Sequence, residues 1–296
     1  MTHGCLVDTT RCIGCRTCQV SCKRAHGLKA EETKFLAGDG YQNPLRFSPH
    51  TRTYVSFHEV KDDRGRLKWV FVKRQCLHCT EMPCANSCAP EIFRRTATGE
   101  IVCNSKECIG CAACIDECPF EVPAIEYWDV ATPHLRKCTF CYDRQQAPVA
   151  QVNVNGKPLS GEALRRHQQR LRTPACAAAC PTGALKFGDR DKLLAEARRR
   201  IAARPNEYVD HIYGEKELGG TGWLYLAAVP FERLGFPTHF APPPPASGAD
   251  PKGMGSIDRH QRDRGGSLFR TVAAALTGIC WFFKRRDDVR SSQKEE

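Results

Sequence analysis

Apolar and polar positions divide this chain into short elements rather than long periodic ones. Thr53–Val60 and Leu67–Lys73 are rich in Val, Tyr, Phe and Trp. The KDDRGR between them has turn chemistry, which predicts a β-hairpin. Residues 149–172 read as an insertion in which Ser160 caps a short basic helix running through Leu171 and ending before Pro174. A second helix is expected from Asp191 to Ala203, with Leu194, Ala197 and Ile201 on one face and Pro205 just past its end. Trp223–Val229 reads as a buried strand. From Pro237 to Gly266, the stretch containing APPPPASGADPKGMGS cannot supply a core and reads as an extended linker. SLFRTVAAALTGICWFF follows at 267–283, bounded by Lys284, Arg285 and Arg286. It falls short of the roughly 20 apolar residues of a membrane span. Arg270 can snorkel at one end, however, and Trp281 suits the membrane interface at the other. No core-forming sequence remains nearby to cover this segment, so the expectation is a single membrane helix over 267–284 and a polar tail over 285–296.

Composition adds one large fact, 19 cysteines in 296 residues. Sixteen fall into four runs. The first is Cys12, Cys15, Cys18 and Cys22; the second is Cys76, Cys79, Cys84 and Cys88. The third is Cys108, Cys111, Cys114 and Cys118; the fourth is split into Cys138 and Cys141, then Cys176 and Cys180. This is a fourfold internal repeat of one unit. Cys5, Cys103 and Cys280 are left over; Cys5 and Cys103 sit in strand-like sequence and read as small buried hydrophobes. Disulfide scaffolds scatter their cysteines and are secreted, whereas these are packed into CxxC runs. No secretory signal is expected either, because Cys5 and Cys12 follow Met1 with no apolar stretch between.

Two metal chemistries remain. Zinc sites use two well-separated CxxC pairs, or one pair with two histidines, around one tetrahedron. A CxxCxxC loop has one thiol too many for that arrangement. It wraps one corner of an iron–sulfur cube, and a fourth cysteine three residues on, usually before proline, reaches the neighbouring cluster. The third run fits this fully with Cys118–Pro119, the fourth ends in Cys180–Pro181, and the second in Cys88–Ala89–Pro90. The first departs, with Lys23 in the proline position. His78 has no partner at zinc spacing and reads as an ordinary loop residue. Which runs share clusters is not evident from spacing, since 89–107 and 119–137 are stretches of equal length.

The formal charge of +11 counts every cysteine as neutral. A cluster held by four thiolates is a net anion, so the basic surplus reads as charge compensation and no nucleic-acid partner is implied. No Ser–His–Asp arrangement, phosphate loop or paired acids stand out; Asp116 and Glu117 read as solvated surface. The expected role is electron transfer without substrate chemistry. Its rivals are an enzyme reducing a bound substrate, which needs an incompletely ligated cluster or a second cofactor site; a soluble redox adaptor lacking the anchor; and a zinc-stabilised scaffold.

The stretches LVDTTRCIGCRTCQVSC, CLHCTEMPCANSC, CIGCAACIDECPF, KCTFCYDR and PACAAACPTGALKFG resemble the iron–sulfur β subunits of membrane-bound respiratory formate dehydrogenases. The ferredoxin-like subunits of quinone-linked [NiFe]-hydrogenases and other molybdopterin oxidoreductases are similar too. IYGEKELGGTGWLYLAAVPFERLGF resembles the family's segment after the last cluster, so the likeness spans essentially the whole chain. The departures are Lys23, the 149–172 insertion and the weak anchor. The resemblance implies an α+β chain of two interleaved bacterial-type 2[4Fe–4S] ferredoxin folds with a β-hairpin insertion. Residues 1–75 would begin the first ferredoxin half, 76–132 form the second, and 133–236 complete the first; 237–266 would be linker. It also implies a nested pairing of runs and four [4Fe–4S] clusters. One would take Cys12, Cys15, Cys18 and Cys180; a second, Cys22, Cys138, Cys141 and Cys176. A third would take Cys76, Cys79, Cys84 and Cys118; the fourth, Cys88, Cys108, Cys111 and Cys114. The implied partners are a catalytic α subunit, molybdopterin or [NiFe], and a membrane cytochrome b or other quinone-reactive subunit. Arg259, Arg262, Arg264 and Arg270 precede the apolar segment, while Lys284, Arg285, Arg286, Arg290 and Lys294 follow it. That excess favours a cytoplasmic tail and a periplasmic cluster domain on the cytoplasmic membrane, exported with its partner, over the cytoplasmic face.

Overall fold

The structure, a computed structural model, describes residues 2–33, 42–61, 65–127, 133–146, 153–154, 157–158 and 160–240. The expected membrane helix, the tail, Cys280 and nearly all of the linker lie outside the described residues. Among the described residues no helix is long and apolar enough to cross a membrane.

His3–Asp8 is the centre of a three-stranded sheet. It pairs antiparallel with Leu185–Asp189, Val7 opposite Leu185, and parallel with Trp223–Leu226, Cys5 opposite Trp223. Strand alternation then separates two faces. Leu6, Leu224 and Leu226 turn toward Leu193, Leu194 and Ala197 of the helix Arg190–Ala203. Cys5, Val7, Trp223 and Tyr225 turn the other way, into a core that also holds Cys18 and Cys176. Each large apolar side chain buried here stabilises the fold by roughly 1.5–3 kcal/mol. This topology brings the entry to the first cysteine run beside the exit from the fourth.

The helix starts one residue earlier than the sequence pattern suggests, because the Asp189 carboxylate accepts the Lys192 N–H at 3.1 Å and makes Asp189 the cap. The buried strand Trp223–Leu226 is shorter than expected: Pro230 opens the short helical turn Phe231–Leu234 instead. The basic helix of the insertion runs over Gly161–Arg172, but the Ser160 side chain makes no capping bond. Gly161 enters the helix at φ +57°, a turn that glycine makes without strain.

The hairpin forms over Thr53–Lys61 and Leu67–Gln75, in register from Thr53 opposite Gln75 to Lys61 opposite Leu67. Val55, Val60, Val70 and Val72 are buried, and the Val55 N–H donates to Gln19 Oε1 at 2.8 Å, which fastens the hairpin to the helix Thr17–Ala25. Two shorter hairpins, Phe93–Arg95 with Ile101–Cys103 and Ala124–Tyr127 with Pro133–Arg136, support the second and third runs. Phe93, Ile101 and Leu135 pack there around Cys88 and Cys114.

Asp8, fully buried, governs the approach to Cys12. One carboxylate oxygen accepts from the Thr10 N–H and hydroxyl at 3.1 and 2.6 Å; the other accepts from Arg200 at 2.8 Å and the Tyr208 hydroxyl at 2.9 Å. It thereby caps the turn Thr9–Arg11 that delivers the first cysteine.

Candidate iron–sulfur centres

The four runs repeat in backbone geometry as well as in spacing. The second residue after each leading cysteine is left-handed: Gly14 (φ +67°), His78 (+54°), Gly110 (+73°) and Phe140 (+59°). That turn aims each residue's N–H at the sulfur of the leading cysteine, so Gly14 donates to Cys12, His78 to Cys76, Gly110 to Cys108 and Phe140 to Cys138. The last of these is a 3.4 Å N–H···S contact. Left-handed backbone costs of order 1–3 kcal/mol in a non-glycine residue, and it persists at His78 and Phe140 because their rings meet in the core, 4.8 Å between centroids.

His78 therefore has more than an ordinary loop role. It is buried, its Nδ1 accepts the Ile101 N–H at 2.8 Å, and Nε2 consequently carries the proton. A histidine between two cysteines looks like any loop residue until its φ and the ring of Phe140 are known.

Cysteine runs that turn at proline end their helices early. Where Lys23 replaces it, the helix continues through Ala25 with Cys22 inside it. The Lys23 ammonium then ties down the next segment by donating to the His50 carbonyl and the Glu31 carboxylate, both at 2.8 Å.

Thiols of the four runs lie near one another in a way that fits four sets. Cys12 lies within electrostatic reach of Cys180 and Cys15, and Cys18 of Cys12 and Cys15. Cys22 is within reach of Cys138, Cys176 and Cys141. Cys79 has Cys76, Cys84 and Cys118 around it, and all four line one cavity together with His78 and Lys137. Cys114 has Cys88, Cys111 and Cys108. Neighbouring sets also meet in series: Cys18 with Cys176, Cys138 with Cys76, and Cys84 with Cys114. Cys15 and Cys111, from the first and last sets of that series, are the solvent-exposed ones.

Burial pushes the Cys18, Cys114 and Cys141 thiols up to about 12 and Cys118 to about 11. It raises Cys12, Cys22, Cys76, Cys79, Cys84, Cys88, Cys108 and Cys138 as well. Such thiols stay protonated at neutral pH unless a cationic centre draws the proton off, as metals do to their thiol ligands.

The residues around the thiols fit iron–sulfur clusters. Four buried side-chain donors have no partner among the described residues: His78 Nε2, Thr139 Oγ1, Trp223 Nε1 and Arg52 Nε. His78 and Thr139 each sit inside a CxxC loop. Trp223 lies under the Lys73 ammonium, within the core shared with Cys18 and Cys176. Arg52 acts on His26, whose ring lies 3.4 Å from the Cys141 sulfur and which burial, then Arg52, lower to about 4. Donors stranded in this way suit sulfide and thiolate acceptors, which are hydrogen-bonded in such centres. Among the described residues no three Cys, His or carboxylate side chains converge on a single-ion site.

Cys5 is fully buried in its strand, as its sequence context suggests, and Cys103 is half-buried with its sulfur 3.7 Å from the Ser105 hydroxyl. A separate hollow of about 610 Å³, beside Ile201, Tyr208 and His211, is lined by no thiol and contributes nothing to these centres.

Two family models, each described as a 4Fe-4S dicluster domain, match residues 11–92 and 67–160. A protein of Nitratidesulfovibrio vulgaris is 36% identical over 234 residues, 79% of this chain and 56% of the relative. The formate dehydrogenase iron–sulfur subunit of Haemophilus influenzae is 32% identical over 224 residues, 75% of this chain and 63% of the relative. The hydrogenase-2 operon protein HybA of Escherichia coli O157:H7 is 29% identical over 260 residues, 79% of this chain and 72% of the relative. The chain thus spans less than two thirds of the length of the first two relatives.

Proposed function

We propose that this chain, which matches two 4Fe-4S dicluster domain models and is similar to formate dehydrogenase iron–sulfur subunits, is a non-catalytic electron-transfer subunit. In this reading it relays single electrons from a catalytic α subunit, most simply a molybdopterin formate dehydrogenase, to a membrane cytochrome b or other quinone-reactive subunit. A [NiFe]-hydrogenase in place of the formate dehydrogenase is the second reading, favoured by the likeness to HybA.

The observation that carries the proposal is that thiols of different runs lie near one another, Cys180 by Cys12, Cys22 by Cys141, Cys118 by Cys79 and Cys88 by Cys114, which fits four ligand sets in series with an exposed cysteine in each terminal set. The ligand sets are Cys12, Cys15, Cys18 and Cys180; Cys22, Cys138, Cys141 and Cys176; Cys76, Cys79, Cys84 and Cys118; and Cys88, Cys108, Cys111 and Cys114. Each 4Fe–4S cluster, when bound, accepts and returns one electron, so four such sites make a wire. The chain's own residues would tune it: the left-handed N–H groups, and the stranded donors of His78 and Thr139 inside their CxxC loops, would hydrogen-bond to sulfur and adjust each site's potential.

The same reading divides the chain into interleaved halves at 1–75 with 133–236 and at 76–132. It makes 237–266 a linker, 267–284 a single membrane anchor and 285–296 a tail, with the cluster domain on the periplasmic side.

Affinity purification of the full chain from native membranes under anaerobic conditions tests the function. A catalytic subunit is expected to co-purify, and formate is expected to produce the EPR signals of reduced clusters. Reduction by hydrogen alone would transfer the assignment to the hydrogenase reading. Clusters that neither substrate reduces would contradict both.

A further inference from the structure

Among the described residues, two lysines are buried in the core of this basic protein. Lys73 is 2% exposed; its Nζ donates to Gln75 Oε1 at 2.7 Å and stands 4.3 Å over the ring of Trp223. Lys137, also 2% exposed, donates to the Ile101 carbonyl at 2.5 Å and the Cys138 carbonyl at 3.1 Å, and its Nζ is 3.9 Å from the Cys76 sulfur. Among the described residues neither forms an ion pair with a carboxylate.

A buried ammonium without a counter-ion ordinarily loses its proton. Here the surroundings are ligand thiols, which form net anions once clusters are bound. Lys73 stands over Trp223 in the core that holds Cys18 and Cys176, and so lies between the first and second thiol sets. Lys137 lines the cavity of Cys76, Cys79, Cys84 and Cys118 and reaches the Cys138 carbonyl, and so lies between the second and third. For Cys88, Cys108 and Cys114 of the fourth set, the leading influences after burial are other cysteines and backbone N–H groups.

We propose that Lys73 and Lys137 are fixed cations that raise the reduction potentials of the clusters flanking them, making the cluster on Cys22, Cys138, Cys141 and Cys176, which lies between both, the most readily reduced of the four. Reduction adds one electron and one negative charge at a buried site; the ammonium offsets that charge and no proton moves. A cation in a low-dielectric interior acts strongly over such distances. The two lysines are positioning residues for electron flow, and the proposal rests on the ligand sets proposed above.

EPR-monitored redox titration of the full, anaerobically purified chain tests it with Lys73→Met and Lys137→Met, which keep most of the side-chain volume. Each variant is expected to shift two of the four potentials downward by at least tenfold in the reduction constant, about 59 mV for one electron. One shifted potential should be common to both variants, and one should stay in place in both. Lys73→Arg and Lys137→Arg, which keep the charge, should leave the potentials near the wild-type values. Shifts under twofold, or equal shifts of all four potentials, overturn the proposal. Iron content separates its failure from that of the ligand assignment: filled variants with unmoved potentials refute the lysines' role alone. If the Met variants do not fill, wild-type protein labelled with [15N]lysine supplies the readout. Spin-echo modulation from 15N at the reduced clusters is expected, and its absence overturns the proposal.

Discussion

Replacing Cys138 with Ala is expected to remove about a quarter of the iron, one of four clusters, and to destabilise the fold around the vacated ligand set while the other three sets stay filled. Cys138 leads the fourth run, receives the Phe140 N–H, and lies where the second set meets Cys76 of the third. Binding of a structural metal contributes on the order of 10 kcal/mol to folding, comparable with the roughly 5–15 kcal/mol that holds a whole domain together. Among the described residues, two of the three clusters of buried apolar side chains are built partly of thiols: Cys18 and Cys176 belong to one, Cys88 and Cys114 to another. Iron and sulfide analysis with circular dichroism reads both effects. Cys5→Ala and Cys103→Ala are the controls, because neither residue belongs to a ligand set, and their iron content should equal that of the wild type. A quarter of the iron lost from either control would mean that the ligand assignment is wrong.

The second large effect is expected from a residue outside the ligand sets. Arg200→Met removes the cation beside Asp8, whose carboxylate is fully buried. Breaking such a pair by deleting one partner costs about 3 kcal/mol or more, which lowers the temperature of cluster bleaching by roughly 10 °C in a domain of this size. The first run should suffer first, since Asp8 caps the turn that leads into Cys12. Adding Asp8→Asn to Arg200→Met should recover part of the loss by removing the stranded charge. An unchanged bleaching temperature in Arg200→Met would show that Tyr208 and Thr10 alone hold this corner.

Much of this arrangement is legible in the cysteines, because ligand chemistry demands fixed spacing within a loop. The hairpin is legible too: Val60, Val70 and Val72 fall on one face of the strand pair and are buried, as the period-two pattern requires. The pairing of runs is different, since 89–107 and 119–137 are equal in length and local sequence leaves the choice open. The strand partners of His3–Asp8, which carry Cys180 back beside Cys12, are a tertiary fact. His78, Lys73 and Lys137 are hidden from sequence for a related reason. A polar side chain next to a cysteine run looks solvated, and only the fold shows that thiols, not water, surround it. Ser160 misleads in the opposite sense: it has the cap residue type, yet its side chain caps nothing.

The most direct test of the account is the metal content of the full chain, purified without oxygen. Sixteen cysteine ligands for four clusters predict about sixteen irons and sixteen sulfides per chain, with brown colour and EPR signals on reduction. About four metals per chain, with zinc as the metal, would contradict it.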